Sequence, residues 1–176
     1  MNRDEYGDNY QAHLLEQYKL YVEMADRISQ RRDQSNRFYA GLVSAIIALL
    51  VVMGRIGVSE STWVIALLFA GLLGASLSVI WFINLGSYRA LNSAKFRVIN
   101  EMESQLPYAG YSEEWAYLRP PQGPVRYLQL TRIERYVPLL TLALFLGILA
   151  YSIYSIINDL GNAAEPTAYL IREVVH

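Results

Sequence analysis

The hydrophobic pattern of this chain consists of three uncharged apolar runs, 38–54, 62–83 and 137–157, set among polar segments. No Asp, Glu, Lys or Arg falls inside them. A helix that crosses a bilayer needs roughly 20 mostly apolar residues at about 1.5 Å of rise each, so the runs predict three transmembrane helices. The first is about a turn short, and Arg55 just beyond it is expected to snorkel to the interface. Two spans with the third run lying on the membrane surface is the alternative, and it suits the long apolar stretch between Tyr136 and Asn158 less well.

The polar segments carry a different period. Leu14, Tyr18, Tyr21, Ala25, Ile28 and Arg32 recur at spacings of four and three, the period of a seam between packed helices. Residues 10–37 are therefore expected to form one long helix entering the first span. A second long helix is expected to leave the second span and reach about Gln105, with Tyr88, Leu91, Ala94 or Lys95, Val98 and Met102 on its apolar face. The two can pair antiparallel, and spacing alone does not choose between packing within a chain and packing between subunits. Pro107, Gly110, Pro120, Pro121, Gly123 and Pro124 predict a turn-rich loop over 107–124, anchored by Trp115 and Tyr117. A third helix is expected from Val125 through Thr131, Arg132, Glu134 and Arg135, with a kink or a fresh helix start at Pro138.

The fold class that follows is all-α: an integral membrane protein with three transmembrane helices and a cytosolic helical bundle built from long helices continuous with the spans. Residues 1–37 form a cytosolic N-terminal amphipathic helix, 38–85 a transmembrane hairpin, and 86–136 a cytosolic helix, loop and entry helix. Residues 137–157 are the third span, and 158–176 a periplasmic tail with a short amphipathic stretch after Pro166. The orientation rests on basic residues. Arg3, Lys19, Arg27, Arg31, Arg32, Arg37, Arg89, Lys95, Arg97, Arg119, Arg126, Arg132 and Arg135 fall on one side, and only Arg55 and Arg172 on the other. By the positive-inside tendency the first side is cytoplasmic, in a bacterial inner membrane. Tyr39, Trp81, Phe82 and Tyr136 fall at the expected inner interface, and Trp63 and Tyr154 near the outer one.

Small residues suggest how such helices pack. Lipid supplies little hydrophobic force between helices, so close approach relies on side chains that let backbones meet. Ala66, Ala70, Gly74 and Ser78 recur every four residues in the second span; Gly41 and Ala45, with Ser44 and Ala48, lie in the first, and Ala143 and Gly147 in the third. These faces either pack a subunit's own helices or join subunits into a homo-oligomer. With no ionisable residue in the runs, a pump or secondary transporter is disfavoured, whereas a pore gated by dewetting is allowed. Ser76, Ser78, Asn84, Ser152 and Ser155 are the candidate pore-lining residues.

Composition removes other classes. In 176 residues with three spans there is no room for a sizeable soluble catalytic domain. The chain has no cysteine, hence no thiolate site or disulfide. The acidic, hydrophilic stretch before Phe38 is not expected to be a cleaved signal, and neither Asn2 nor the cysteine-free C-terminus suits lipidation. His13 and His176 are expected on opposite sides of the membrane, His13 with Glu16 reads as a solvated face, and Glu113 with Glu114 as a loop pair. No phosphate loop, nucleophile elbow or metalloprotease helix is present. No enzyme, cofactor or metal is expected. Arg27, Arg31, Arg32, Arg37, Arg89, Lys95 and Arg97 are the candidate binding residues for an anion, either a lipid headgroup, a nucleotide or a nucleic-acid strand. Asp26, Asp33, Glu101 and Glu103 interleave with them, which also fits plain topology signals.

Three strings go further: LLEQYKLYVEMADRISQRRDQSNRFY before the first span, SYRALNSAKFRVINEMESQLPYAGYSEEW after the second, and LTRIERYVPLL entering the third. Together they resemble the RipA family of octameric membrane proteins from bacteria. The resemblance implies an inner-membrane homo-oligomer of eight copies, with a cytosolic bundle beneath a small transmembrane domain, and supplies no catalytic residue. The build is also similar to membrane effectors of anti-phage defence, at the level of architecture alone. The expectation is a pore- or channel-like effector gated through its cytosolic helices by an anionic ligand or a partner protein. A non-conducting scaffold, organising other membrane proteins or supporting stress adaptation, is the alternative.

Overall fold

The computed structural model describes residues 6–118 and 134–174, with side chains as far as Gly161. The helix predicted from Val125, together with Pro120, Pro121, Gly123, Pro124, Arg3, Arg119, Arg126, Arg132, His176 and the Arg172 side chain, lies outside these residues. Among the described residues the fold is helical, with no strand. Helix α1 spans Tyr10–Ile56, α2 Glu60–Glu103, α3 Gly110–Leu118 and α4 Tyr136–Val174. Three of them, α1, α2 and α4, are long and apolar enough to cross a membrane.

Local chemistry sets the helix ends. Gly57 has φ of 73°, the left-handed conformation that terminates a helix, and Arg55 in the last turn of α1 complements the negative end of its dipole. Two residues later the Ser59 hydroxyl takes up the Thr62 amide at 3.4 Å, and Glu60 stands in the first turn of α2. A C-cap glycine followed at once by an N-cap serine makes a short reversal between the first two spans. Pro138 lies in the first turn of α4, where its missing N–H would have had no partner anyway. Of the two outcomes expected there, it is the fresh start.

Two sequence expectations need correction. Residues 107–124 are not loop throughout, because the nine-residue helix α3 occupies Gly110–Leu118. The stretch 108–119 holds no proline, so nothing of that kind prevents a helix there. The segment after Asn158 is not a separate tail either, since α4 continues to Val174. The fall in hydropathy there marks a change of surroundings, and a helix need not stop at one.

The chain divides into two units, residues 1–36 with 83–134 and residues 37–82 with 135–176. In the first, the α1 and α2 segments pair antiparallel within one chain. Tyr10 meets Gln105, Tyr18 meets Glu103, Met24 meets Lys95 and Ser35 meets Asn84, so partners descend α2 as they ascend α1. The expected α1 seam is the packed one: Leu14, Ala25 and Ile28 are buried, and Tyr18, Tyr21 and Arg32 half-buried. On α2 the expected face is rotated. Leu91 and Ala94 are exposed, and the seam runs through Leu85, Tyr88, Asn92, Lys95, Ile99 and Met102. That series shares Tyr88, Lys95 and Met102 with the expected face and keeps the alternation of three and four, but places Asn92 at a core position, where a search for apolar residues passes over it.

The second unit packs three helical segments around Val43, Ala75 and Phe145, with Ile46, Leu142 and Ile148 against them. At one end of this unit Tyr39 stacks on Trp81 with ring centroids 6.0 Å apart, and the Arg135 guanidinium lies 5.0 Å from the Phe82 ring centre. Those aromatics, with Tyr136, are the residues expected at one interface.

Candidate functional site

The first unit centres on a buried carboxylate. Glu103 closes α2, is 1% exposed, and faces the start of α3. Its Oε1 accepts the Tyr18 hydroxyl at 2.9 Å and the Tyr111 amide at 3.0 Å, while Oε2 accepts the Ser112 amide at 3.3 Å and the Ser112 hydroxyl at 3.4 Å. One carboxylate thus caps the N-terminus of α3, complements its dipole and ties it to both long helices. Burial, then the hydrogen bond and charge of Glu103, and then Tyr111 push the Tyr18 hydroxyl up to about 12. The Tyr111 hydroxyl is pushed up as well, by burial first and then by Asp26, Glu114 and Glu103. Tyr111 packs edge-on against Phe96, so it anchors α3, whereas Tyr117 is exposed. Glu103 was read in the sequence only as one of several interleaved charges. Its position four residues beyond Ile99 was the available signal.

The basic candidates do not converge on one site. Arg27 pairs with Glu23 at 2.6 Å on the exposed surface of α1, a geometry that contributes about 0.3–0.5 kcal/mol. Lys95 turns inward, 5.2 Å from the Tyr21 ring centre and 3.7 Å from the Met24 sulfur. Arg32 lies on the seam 3.8 Å from Glu134. Arg31, Arg89 and Arg97 are exposed in this unit, and Arg37 is exposed in the other. The anion-binding set expected of all seven is therefore reduced to the outward arginines, because Lys95 and Arg32 face the helix pair. Asn92 Oδ1 is buried beside that seam with no partner among the described residues.

In the second unit the small residues of α2 face inward. Ala70, Gly74 and Ser78 are buried and Ala66 half-buried. A Cβ on Gly74 would run into the Phe145 ring, and one on Gly71 would come within 3.0 Å of Leu149. Ser78 donates to the Gly74 carbonyl at 2.7 Å and lies 3.1 Å from the Thr141 hydroxyl. This face packs the subunit's own helices, so it is not available for an intersubunit contact. Gly41, Ser44, Ala45 and Ala48 on α1, and Ala143 and Gly147 on α4, are exposed. The pore-lining candidates separate too. Ser152 is fully buried and donates to the Leu149 carbonyl at 2.9 Å, Asn84 donates to Ser35 in the first unit at 3.1 Å, and Ser155 is half-buried. Only Ser76 faces out, and its hydroxyl is spent on the Leu72 carbonyl at 2.8 Å. A buried hydroxyl satisfied within its own helix is a packing group, which corrects the reading of Ser78 and Ser152 as pore lining.

Among the described residues no group of three or more His, Asp or Glu could hold a metal. No curated protein and no solved structure matches this chain. The model of the octameric membrane protein family (8xMP) does match, over residues 15–154, which takes in α3, the antiparallel pair from residue 15 onward, and all three apolar runs except the last turn of the third. The chain belongs to that family, and with its three span-length helices it is a homo-oligomeric membrane protein, an octamer by the family's name.

Proposed function

We propose that the oligomer is a pore of the bacterial inner membrane, opened or closed by its antiparallel helix pair on the cytoplasmic side. The observation that carries this reading is continuity: α1 and α2 each run unbroken from the pair into an apolar span. A ligand or partner that rotates or separates the pair acts on the same helices that continue into the spans. The anionic ligand, a nucleotide, nucleic-acid strand or lipid headgroup, would be met by Arg31, Arg89 and Arg97, outward candidates of this unit beside Arg27, which pairs with Glu23. Such a device suits an antiviral effector that disrupts the membrane on a signal. Potassium flux from liposomes holding the purified oligomer tests it, with R31Q/R89Q/R97Q expected to lose the response to an added anionic ligand while remaining assembled. An oligomer that stays impermeable under every ligand condition contradicts the pore.

One observation favours the second reading, a non-conducting scaffold. The outward face of α2 is bulky and apolar, with Phe69, Leu72, Ile80 and Ile83 all more than half exposed, and Ser76 is its one polar group between them. A scaffold predicts a co-purifying membrane partner in fixed ratio and no change of membrane potential on overexpression.

A further inference from the structure

The three spans place their small residues in opposite senses. In α2 the small side chains point into the subunit and the large ones point out. α1 and α4 carry small side chains on the outside instead, with large ones such as Leu49 and Val52 of α1 and Leu140, Leu144 and Tyr151 of α4 exposed beside them. Val43 and Ile46 of α1 pack into the core, and Gly41, Ser44, Ala45 and Ala48 lie on the opposite side of the helix. Leu142, Phe145 and Ile148 of α4 pack into the core, and Ala143, Gly147 and Ala150 lie on its far side, between Tyr136 and Tyr154. A Cβ added to Gly41 or Gly147 would meet nothing within 4 Å, in contrast to Gly71 and Gly74.

Lipid chains pack equally well on bulky and small surfaces, so a membrane neighbour alone gives no reason for this sorting. A second helix does, because only small side chains let backbones come close. Membership of an octameric family means that the neighbour in the membrane is another copy of this chain. A closed ring of like subunits meets through two unlike surfaces, one on each side of every subunit, whereas a two-fold contact uses one surface twice. The subunit has two such surfaces. Val43 and Phe145 share one core cluster, so α1 and α4 present their outer stripes at a common depth, as neighbours at one height in a membrane require.

We infer that α1 of one subunit seats its Gly41–Ala48 stripe against the Ala143–Ala150 stripe of α4 in the next, and that this heterologous contact closes the ring. The bulky face of α2 is left to lipid or to the interior of the ring. The inference rests on family membership and not on conduction, so it survives if the oligomer proves impermeable.

The chain has no cysteine, which makes disulfide trapping direct. A disulfide needs Cβ atoms about 3.5–4.5 Å apart, and neither stripe can reach the other within a subunit, since each faces away from the core. Full-length protein carrying both A48C and G147C, oxidised in native membranes, is expected to give a ladder of covalent multimers. Subunits with A48C alone or G147C alone stay monomeric on the same gel, and co-expression of the two single variants stops at dimers. A dimer from either single variant shows a two-fold contact and overturns the inference. So does a double variant that extracts as an oligomer but gives no ladder with cysteines walked through positions 41–48 and 143–150. As a second readout, G147L is expected to reduce the oligomer fraction at least tenfold with helix content unchanged, and full assembly of G147L contradicts the close contact.

Discussion

Glu103 is the residue on which the first unit depends most. Replacing it with Ala strands the Tyr18 hydroxyl and the Tyr111 and Ser112 amides, and each buried donor left unpaired costs about 1–3 kcal/mol. E103A is therefore expected to destabilise this unit by about 3 kcal/mol, with E103Q retaining part of the loss, as measured by thermal melts of full-length W63F/W81F protein followed through the remaining Trp115. The alkaline side offers an independent check. The Tyr18 hydroxyl is held above its ordinary value of 10.0, to about 12, so the stability it contributes is fully present below pH 10 and is lost as pH rises through about 12. Y18F should remove that alkaline loss, and absorbance of tyrosinate against pH measures it. None of this was legible from residue type, since a buried capping carboxylate and a solvated glutamate look alike in sequence.

At the scale of elements the sequence was informative wherever one period ran undisturbed. Leu14 to Arg32 is a clean three-four series, and the structure packs that series. The α2 series is interrupted by Asn92, in whose place the expected face had Leu91, and Lys95 entered that face only as the alternative to Ala94; Leu91 and Ala94 are exposed. Buried polar groups in a seam favour one register over others. N92L with K95L is expected to preserve or raise thermal stability while relaxing the pairing, seen as loss of the S35C–N84C cross-link that forms when residues 92 and 95 are unchanged. In the spans, spacing found the small residues but could not tell inward faces from outward ones, because that depends on what the third helix supplies. Phe145 fills the space left by Gly74, so G74L should prevent folding of the span unit and F145A should cost about 3–5 kcal/mol. G147A, which meets open space within the subunit, should leave monomer stability unchanged.

For the whole molecule, the all-α membrane class and family membership were readable from three apolar runs and the polar strings between them. Sidedness rests on basic residues: external protease added to intact cells is expected to spare the segment before α1. Cleavage there would reverse the orientation and with it the proposed gating from the cytoplasm. In the proposed reading, the two helices that run from the polar pair into the apolar spans transmit a signal, and the outward small residues of α1 and α4 are where subunits meet. The most direct test of the account is the native mass of the full-length protein released from lipid nanodiscs. A closed complex of eight 20.0 kDa subunits is predicted, and a chain that is released only as monomer, at any protein concentration, contradicts it.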